Sequence, residues 1–249
     1  MSGKKRRMER LFRGPEKRCL MVPLDHAPWL GPIKGINKPK EIVGQVLDGG
    51  ANALLVTPGF LNQVGHIVKP EVGIVLRVSI VAGPSEEAFQ ETPAATLKTA
   101  LRLDADAVAV SIFFGRSGEC SIMRWMSELI EKSYEYQMPV LAEMMPSSDK
   151  FFDAEAIAHV SRLGMELGAD IIKTNYCGDP EAFRQIVDSV GLPIVVAGGA
   201  NQNGADGTIN MVKELMQAGA SGVAIGRRVW QSDNPGELVS NMRKIMFTA

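Results

Sequence analysis

The sequence predicts an α/β protein: a (β/α)8 barrel (TIM barrel) over residues 19–249, preceded by a short basic helix or arm over residues 1–18. Three observations carry this. At 249 residues and 45% hydrophobic, the chain is the size of one such barrel. Four segments repeat one pattern, GGANALLV (49–56), LDADAVAV (103–110), LGADIIKT (167–174) and AGASGVAI (218–225), each running from a helix end through a short turn into an apolar strand. Four further apolar runs lie between them: CLMVPLD (19–25), GIVLRVSI (73–80), PVLAEMM (139–145) and PIVVAGG (193–199). Eight apolar strands alternating with helices make a parallel sheet covered on its outer face. A doubly wound open sheet is the alternative. It would be favoured by G-x-G-x-x-G after the first strand, where this chain has PLDHAPWLGP.

The first 18 residues hold eight Lys and Arg against two Glu, while the whole chain has net charge −1. Met8, Leu11 and Phe12 fall at helical spacing. This reads as a helix packed on the body or an arm, with binding of an anion or a partner as the alternative. No apolar run follows at the distance a secretory signal needs. Between the strands, apolar residues recur with helical period: Ile42, Val43, Val46 and Leu47; Ile122, Trp125, Met126, Leu129 and Ile130; Ile157, Val160 and Leu163; Phe183, Ile186, Val187 and Val190; Ile209, Val212, Leu215 and Met216. Asp179-Pro180 supplies an N-cap and a first-turn proline, and Gly219 a C-cap. Any helix within 58–72 must be short.

The near-neutral charge argues against a general nucleic-acid binder. No apolar stretch approaches the roughly 18 residues of a membrane span. Cys19, Cys120 and Cys177 lack C-x-x-C spacing, so a reducing, cytoplasmic setting without disulfides is expected. His26, His66 and His159 are scattered, which disfavours a His-rich zinc site; no metal and no cofactor is expected.

Active sites of such barrels gather at the C-terminal ends of the strands. The polar residues there are Asp25 and His26, Thr57, Arg77 and Ser79, Ser111, Glu143, Lys173 and Asn175, and Arg227 beside Gly226, with Gly198 and Gly199 after the seventh strand. Lys173 interrupts the apolar run ADIIKTNY. Desolvation and nearby cations free a lysine amine for attack on a carbonyl, giving a Schiff base that acts as an electron sink. The other reading is a packing pair with Asp25 or Glu143, or an outward side chain. The glycines of VVAGGA (195–200) and VAIGRR (223–228) allow backbone N–H groups to approach an anion, with Arg227 adding charge; a tight turn needs the same glycines. Asp25 is either a proton-transfer or hydroxyl-orienting group or an Asx-turn cap. His26 is read as structural, because its side chain should alternate away from that of Asp25. Glu143 shares a strand face with Met145, so it is either an acid/base group with a raised pKa or a partner of Lys173. Cys177 reads as a small buried hydrophobe.

The segments VPLDHAPWLGP (22–32), GADIIKTNYCGDP (168–180), PIVVAGGA (193–200) and GASGVAIGRRVWQSDNP (219–235) resemble the DeoC/FbaB aldolase family, which includes the archaeal-type class I aldolases. The resemblance runs from about residue 8 to the C-terminus and is poorest over 58–92. It implies a barrel, a Schiff-base lysine at Lys173, a catalytic or orienting aspartate at Asp25, and a phosphate site at Gly198, Gly199, Gly226 and Arg227. It also implies a phosphorylated keto-sugar as substrate and a homo-oligomer. The chain departs from the family at the end of the fifth strand. The aldolases typically have Tyr-Pro-Arg-Gly there and this chain has Met145-Pro146-Ser147-Ser148, so proton transfer falls to Glu143 or, second, Tyr176. Arg228 stands where relatives usually have Asn, and either adds charge at the phosphate or faces solvent. The expected function is metal-independent aldol cleavage or formation. The alternatives are thiolase-type acyl transfer on a phosphorylated diketone, towards which QSDNP (231–235) leans, and a sugar-phosphate-binding barrel without catalysis.

Overall fold

The computed structural model describes residues 2–81, 90–199 and 204–247. Ala200, which ends the VVAGGA motif, Met1 of the basic segment and the last two residues lie outside them. Eight parallel strands close into a barrel: β1 (Cys19–Pro23), β2 (Ala53–Val56), β3 (Gly73–Arg77), β6 (Ala107–Phe113), β7 (Val140–Met145), β8 (Ile171–Thr174), β9 (Ile194–Ala197) and β10 (Gly222–Ala224). Each expected apolar run supplies one barrel strand. The run 73–80 supplies more. After Val78 donates to the Ala109 carbonyl, the chain leaves the barrel as β4 (Ser79–Val81) and pairs antiparallel with β5 (Glu91–Pro93). Sequence periodicity did not anticipate this hairpin, because an apolar run does not reveal which neighbour it pairs with.

The outer layer is helical. It includes α3 (Pro39–Asp48), α6 (Glu119–Tyr136), α7 (Ala154–Glu166), α8 (Pro180–Val190), α9 (Gly204–Gln217) and α11 (Pro235–Met246), whose apolar faces pack on the strands. The segment after β2 holds a short helix, α4 (Pro58–Val64), continued by one 3₁₀ turn. Asp179 caps α8, its side chain accepting from the Glu181 and Ala182 N–H groups. None of these helices is long and apolar enough to cross a membrane.

The internal repeat has a physical cause. Its polar residue sits just before the strand and, in three of the four copies, accepts an N–H at the start of the neighbouring strand. Asn52 Oδ1 takes Leu20 N at 2.6 Å, Asp106 Oδ2 takes Ile74 N at 2.9 Å and Asp170 Oδ2 takes Val140 N at 2.9 Å. The basic segment then docks on this ring. α1 (Gly3–Leu11) crosses the N-terminal mouth of the barrel, where Lys4 meets Asp170 at 2.8 Å and Arg10 meets Asp106 at 2.7 Å. Arg7, Arg13 and Arg18 donate to the carbonyls of Ala105, Glu71 and Ala220. Five of the eight basic side chains are thus engaged, two by carboxylates and three by backbone carbonyls. Leu11, fully buried, joins Met21, Leu55, Val75, Leu141 and Ile171 in the lumen. Leu11→Ala removes three carbons from a closed space and is expected to lower unfolding free energy by about 2–5 kcal/mol, read from denaturant melts.

Candidate active site

Side chains alternate along a strand, so inward positions are two apart. Ile171 and Lys173 point into the barrel from β8, Leu141, Glu143 and Met145 from β7, Ala109 and Ser111 from β6, and Val75 and Arg77 from β3. The strand register fixes their height. Ser111 pairs with Glu143 and Glu143 with Lys173, so these polar residues form one layer above the apolar lumen. The layer floors a cavity of about 280 Å³ at the C-terminal mouth of the barrel. That volume suits a small polar substrate.

Lys173, Glu143 and Arg77 are only 5%, 7% and 6% exposed. Such charges persist at that depth only when paired. Lys173 Nζ donates to Glu143 Oε1, Ser111 Oγ donates to Glu143 Oε2 at 2.7 Å, and Arg77 contacts both Ser111 and Glu143. The other side of the guanidinium reaches Asp25, with Nε and Nη2 each 2.7 Å from Oδ2. Asp25 therefore faces the cavity, and of its two readings the Asx-turn cap is not the one seen. His26 faces the cavity as well. β1 ends at Pro23, so strict alternation no longer applies two residues later, and His26 Nδ1 lies 3.3 Å from Asp25 Oδ1.

The electrostatics correct one expectation. Burial pushes the Glu143 carboxyl up, as anticipated, but the Lys173 ammonium and the Arg77 guanidinium outweigh it and hold the group down to about 2. Asp25 behaves likewise: burial raises it, and Arg77, with His26 and Lys173, lowers it well below the usual carboxylate range. Both are fixed anions, so Glu143 is not the acid/base group with a raised pKa that desolvation alone predicts. Tyr176 does not replace the family tyrosine either. Its ring packs on Phe183, its hydroxyl donates to Glu214 at 2.9 Å, and it does not line the cavity. Met145 does line it. Cys177 is partly buried, its thiol 3.4 Å from the Asp179 carbonyl.

Gly198, Gly199, Gly226 and Arg227 come together on one wall of the cavity. Gly199 adopts φ +65° with open space where a Cβ would stand, which leaves its backbone approachable. At Gly226 a Cβ would fall 2.8 Å from the Pro23 carbonyl oxygen, so only glycine fits. Arg227 opens the short helix α10 (Arg227–Trp230), and no carboxylate among the described residues pairs with it. Burial consequently lowers its pKa, a penalty that a bound anion would relieve. Arg228, the other arginine of this turn, reaches the same wall. It donates through Nε to the Gly198 carbonyl and so ties the two glycine turns together. In QSDNP, Asn234 caps α11 by accepting from Glu237 N, and Pro235 begins that helix. This local duty accounts for the motif without reference to a thiol.

Two groups of this site had no role assigned from the sequence, Arg77 being named only as a polar residue at a strand end and Glu91 not at all. Arg77, the hub of the ion-pair network, breaks the apolar run GIVLRVSI as Lys173 breaks ADIIKTNY, so the signal was in the sequence. Glu91, carried by β5, also lines the cavity. No periodicity marks it.

A family model described as DeoC/LacD family aldolase matches residues 19–232. The chain is 32% identical to a 2-amino-3,7-dideoxy-D-threo-hept-6-ulosonate synthase of Halobacterium salinarum, over 98% of this chain and 92% of that one. It is 30% identical to an uncharacterised aldolase of Saccharolobus solfataricus, over 99% of this chain and 95% of the relative. In fold it superposes on an archaeal fructose 1,6-bisphosphate aldolase with a TM-score of 0.87 at 21% identity, each chain covered in full. A further archaeal aldolase structure, described as having its catalytic lysine covalently bound to a carbinolamine intermediate, superposes with a TM-score of 0.86 at 21% identity, over 98% of this chain and 99% of that one. With the family match spanning all eight barrel strands and relatives aligned almost end to end, the chain belongs to the DeoC/LacD aldolase family.

Proposed function

We propose that the protein is a class I aldolase that makes or breaks the C–C bond beside the ketone of a phosphorylated keto-sugar, holding that ketone as an imine on Lys173. The observation that carries this reading is a lysine amine buried on the cavity floor, 5% exposed, facing a wall of glycine turns with an arginine that has no acidic partner among the described residues. The amine attacks the carbonyl carbon, and loss of water gives an iminium. Its positive charge draws in the electrons of the adjacent C–C bond when that bond breaks, a role otherwise needing a Lewis acid. Glu143, a fixed anion, holds the resting ammonium toward the lumen. Asp25, anchored by Arg77, is a fixed anion for orienting substrate hydroxyls.

The phosphate binds between Gly198-Gly199 and Gly226-Arg227. Arg227→Ala is expected to raise KM for a phosphorylated substrate by roughly 10- to 100-fold, the worth of a charge-assisted hydrogen bond, with kcat little changed. An unphosphorylated analogue should bind wild type and variant alike. The reaction class is tested by following cleavage of a panel of phosphorylated keto-sugars, fructose 1,6-bisphosphate among them, in the presence of EDTA and without coenzyme A. Turnover supports the proposal. Turnover only on addition of a thiol acceptor would make the enzyme a thiolase, and inactivation by EDTA would exclude the imine route.

A further inference from the structure

Three carboxylates, Asp25, Glu143 and Glu91, line the cavity together with Lys173 and the arginines Arg77, Arg116 and Arg227. Arg77 engages Asp25 and Glu143, and Lys173 engages Glu143. Glu91 forms no salt bridge among the described residues. Its Oε2 is buried with no hydrogen-bond partner among the described residues, while neighbouring Ser79 favours the charged form of the carboxyl. A buried oxygen without a donor is a poor place for negative charge and a good one for a proton. The β4–β5 hairpin, with Val81 opposite Glu91, holds the residue there. Burial is the main influence on the acid, and despite the pull of Arg77 its pKa rises to about 7. Glu91 can therefore both give and take a proton near neutrality, unlike the two locked carboxylates and the distant Tyr176 phenol.

We propose that Glu91 is the proton carrier of the reaction, filling the role left open where Met145 stands in place of a tyrosine. This rests on the imine at Lys173. In the carbinolamine formed on that lysine, neutral Glu91 donates its proton to the hydroxyl oxygen. The C–O bond breaks, water leaves and the nitrogen lone pair forms C=N, giving an iminium beside a Glu91 carboxylate. That carboxylate then takes a proton from the carbon next to the iminium, whose C–H electrons form C=C as the C=N electrons return to nitrogen. The products are a neutral enamine and neutral Glu91, so no uncompensated charge remains in the cavity.

The test follows solvent deuterium exchange into the carbon next to the carbonyl of dihydroxyacetone phosphate, by mass spectrometry, in wild type and Glu91→Gln, with borohydride trapping at Lys173 alongside. The proposal predicts that E91Q still yields the trapped adduct on long incubation but exchanges at least about 100-fold more slowly, the scale of a lost general acid/base. The exchange rate of wild type should change with pH around neutrality, E91Q should lack that change, and Glu91→Asp, which keeps an acid, should retain it. Folding is not at risk: E91Q removes an unpaired buried charge and should melt at or above wild type at pH 8. Exchange by E91Q within threefold of wild type, with the same pH profile, overturns the assignment. Absence of any trapped adduct in wild type overturns the imine reading, and the assignment with it.

Discussion

Arg77→Met is expected to be among the most destabilising single substitutions in the protein, by about 3–5 kcal/mol, because it strips the cation from buried carboxylates that cannot follow it out to water. For a chain of this size that corresponds to a fall in Tm of roughly 6–20 °C. The two carboxylates are not equally exposed to the loss. Glu143 keeps Lys173 and Ser111 in contact, whereas Asp25 keeps the nearby His26 and the weaker pull of Lys173. Adding Asp25→Asn to Arg77→Met should therefore restore part of the stability, a coupling that a double-mutant cycle measures. The acid limb should move too. Glu143 is depressed to about 2 from an ordinary 4.5, so it stabilises the wild-type fold fully above pH 4.5 and loses that contribution as pH falls towards 2. With Arg77 gone its folded pKa rises, the contribution shrinks, and the acid unfolding of the variant should begin at higher pH. Equal melting of R77M and wild type would show that the network seen around Arg77 does not hold the barrel mouth together.

Lys173→Arg should have the opposite signature. It keeps a cation opposite Glu143 but replaces an amine that can lose a proton with a guanidinium that cannot. Turnover is expected to fall by at least about 10³-fold, as when a covalent nucleophile is removed, while the stability loss stays below that of Arg77→Met. Lys173→Met should be equally inactive, since Arg77 and Ser111 still satisfy Glu143 and leave the site formed. Steady-state rates beside denaturant melts separate the two effects. More than a tenth of wild-type turnover in K173R would be incompatible with imine chemistry at this residue.

The barrel was legible because a parallel strand buried on both faces leaves a continuous apolar run, and because the repeat carries a polar residue where each strand begins. Asn52, Asp106 and Asp170 are that signal, and their bonds to the neighbouring strands explain it. Lys173 was legible for the converse reason, as a charge inside an apolar run. Arg77 carried the same mark, yet strand ends alone did not separate a hub from a bystander. The protonation of Glu143 could not be read from burial, since its sign depends on which cations the register of β7, β8 and β3 brings against it. Glu91 left no trace. It reaches the cavity only because the chain after β3 turns into a hairpin, and that pairing is a tertiary event with no local period.

The central claim is the covalent one, and intact-mass measurement after incubation with dihydroxyacetone phosphate and borohydride, followed by peptide mapping, tests it most directly. The account predicts one reduced adduct per chain, on the peptide carrying Lys173, absent without ketone and absent in K173R. An adduct on another lysine, or none across a panel of phosphorylated ketones under conditions that label a control class I aldolase, would contradict it.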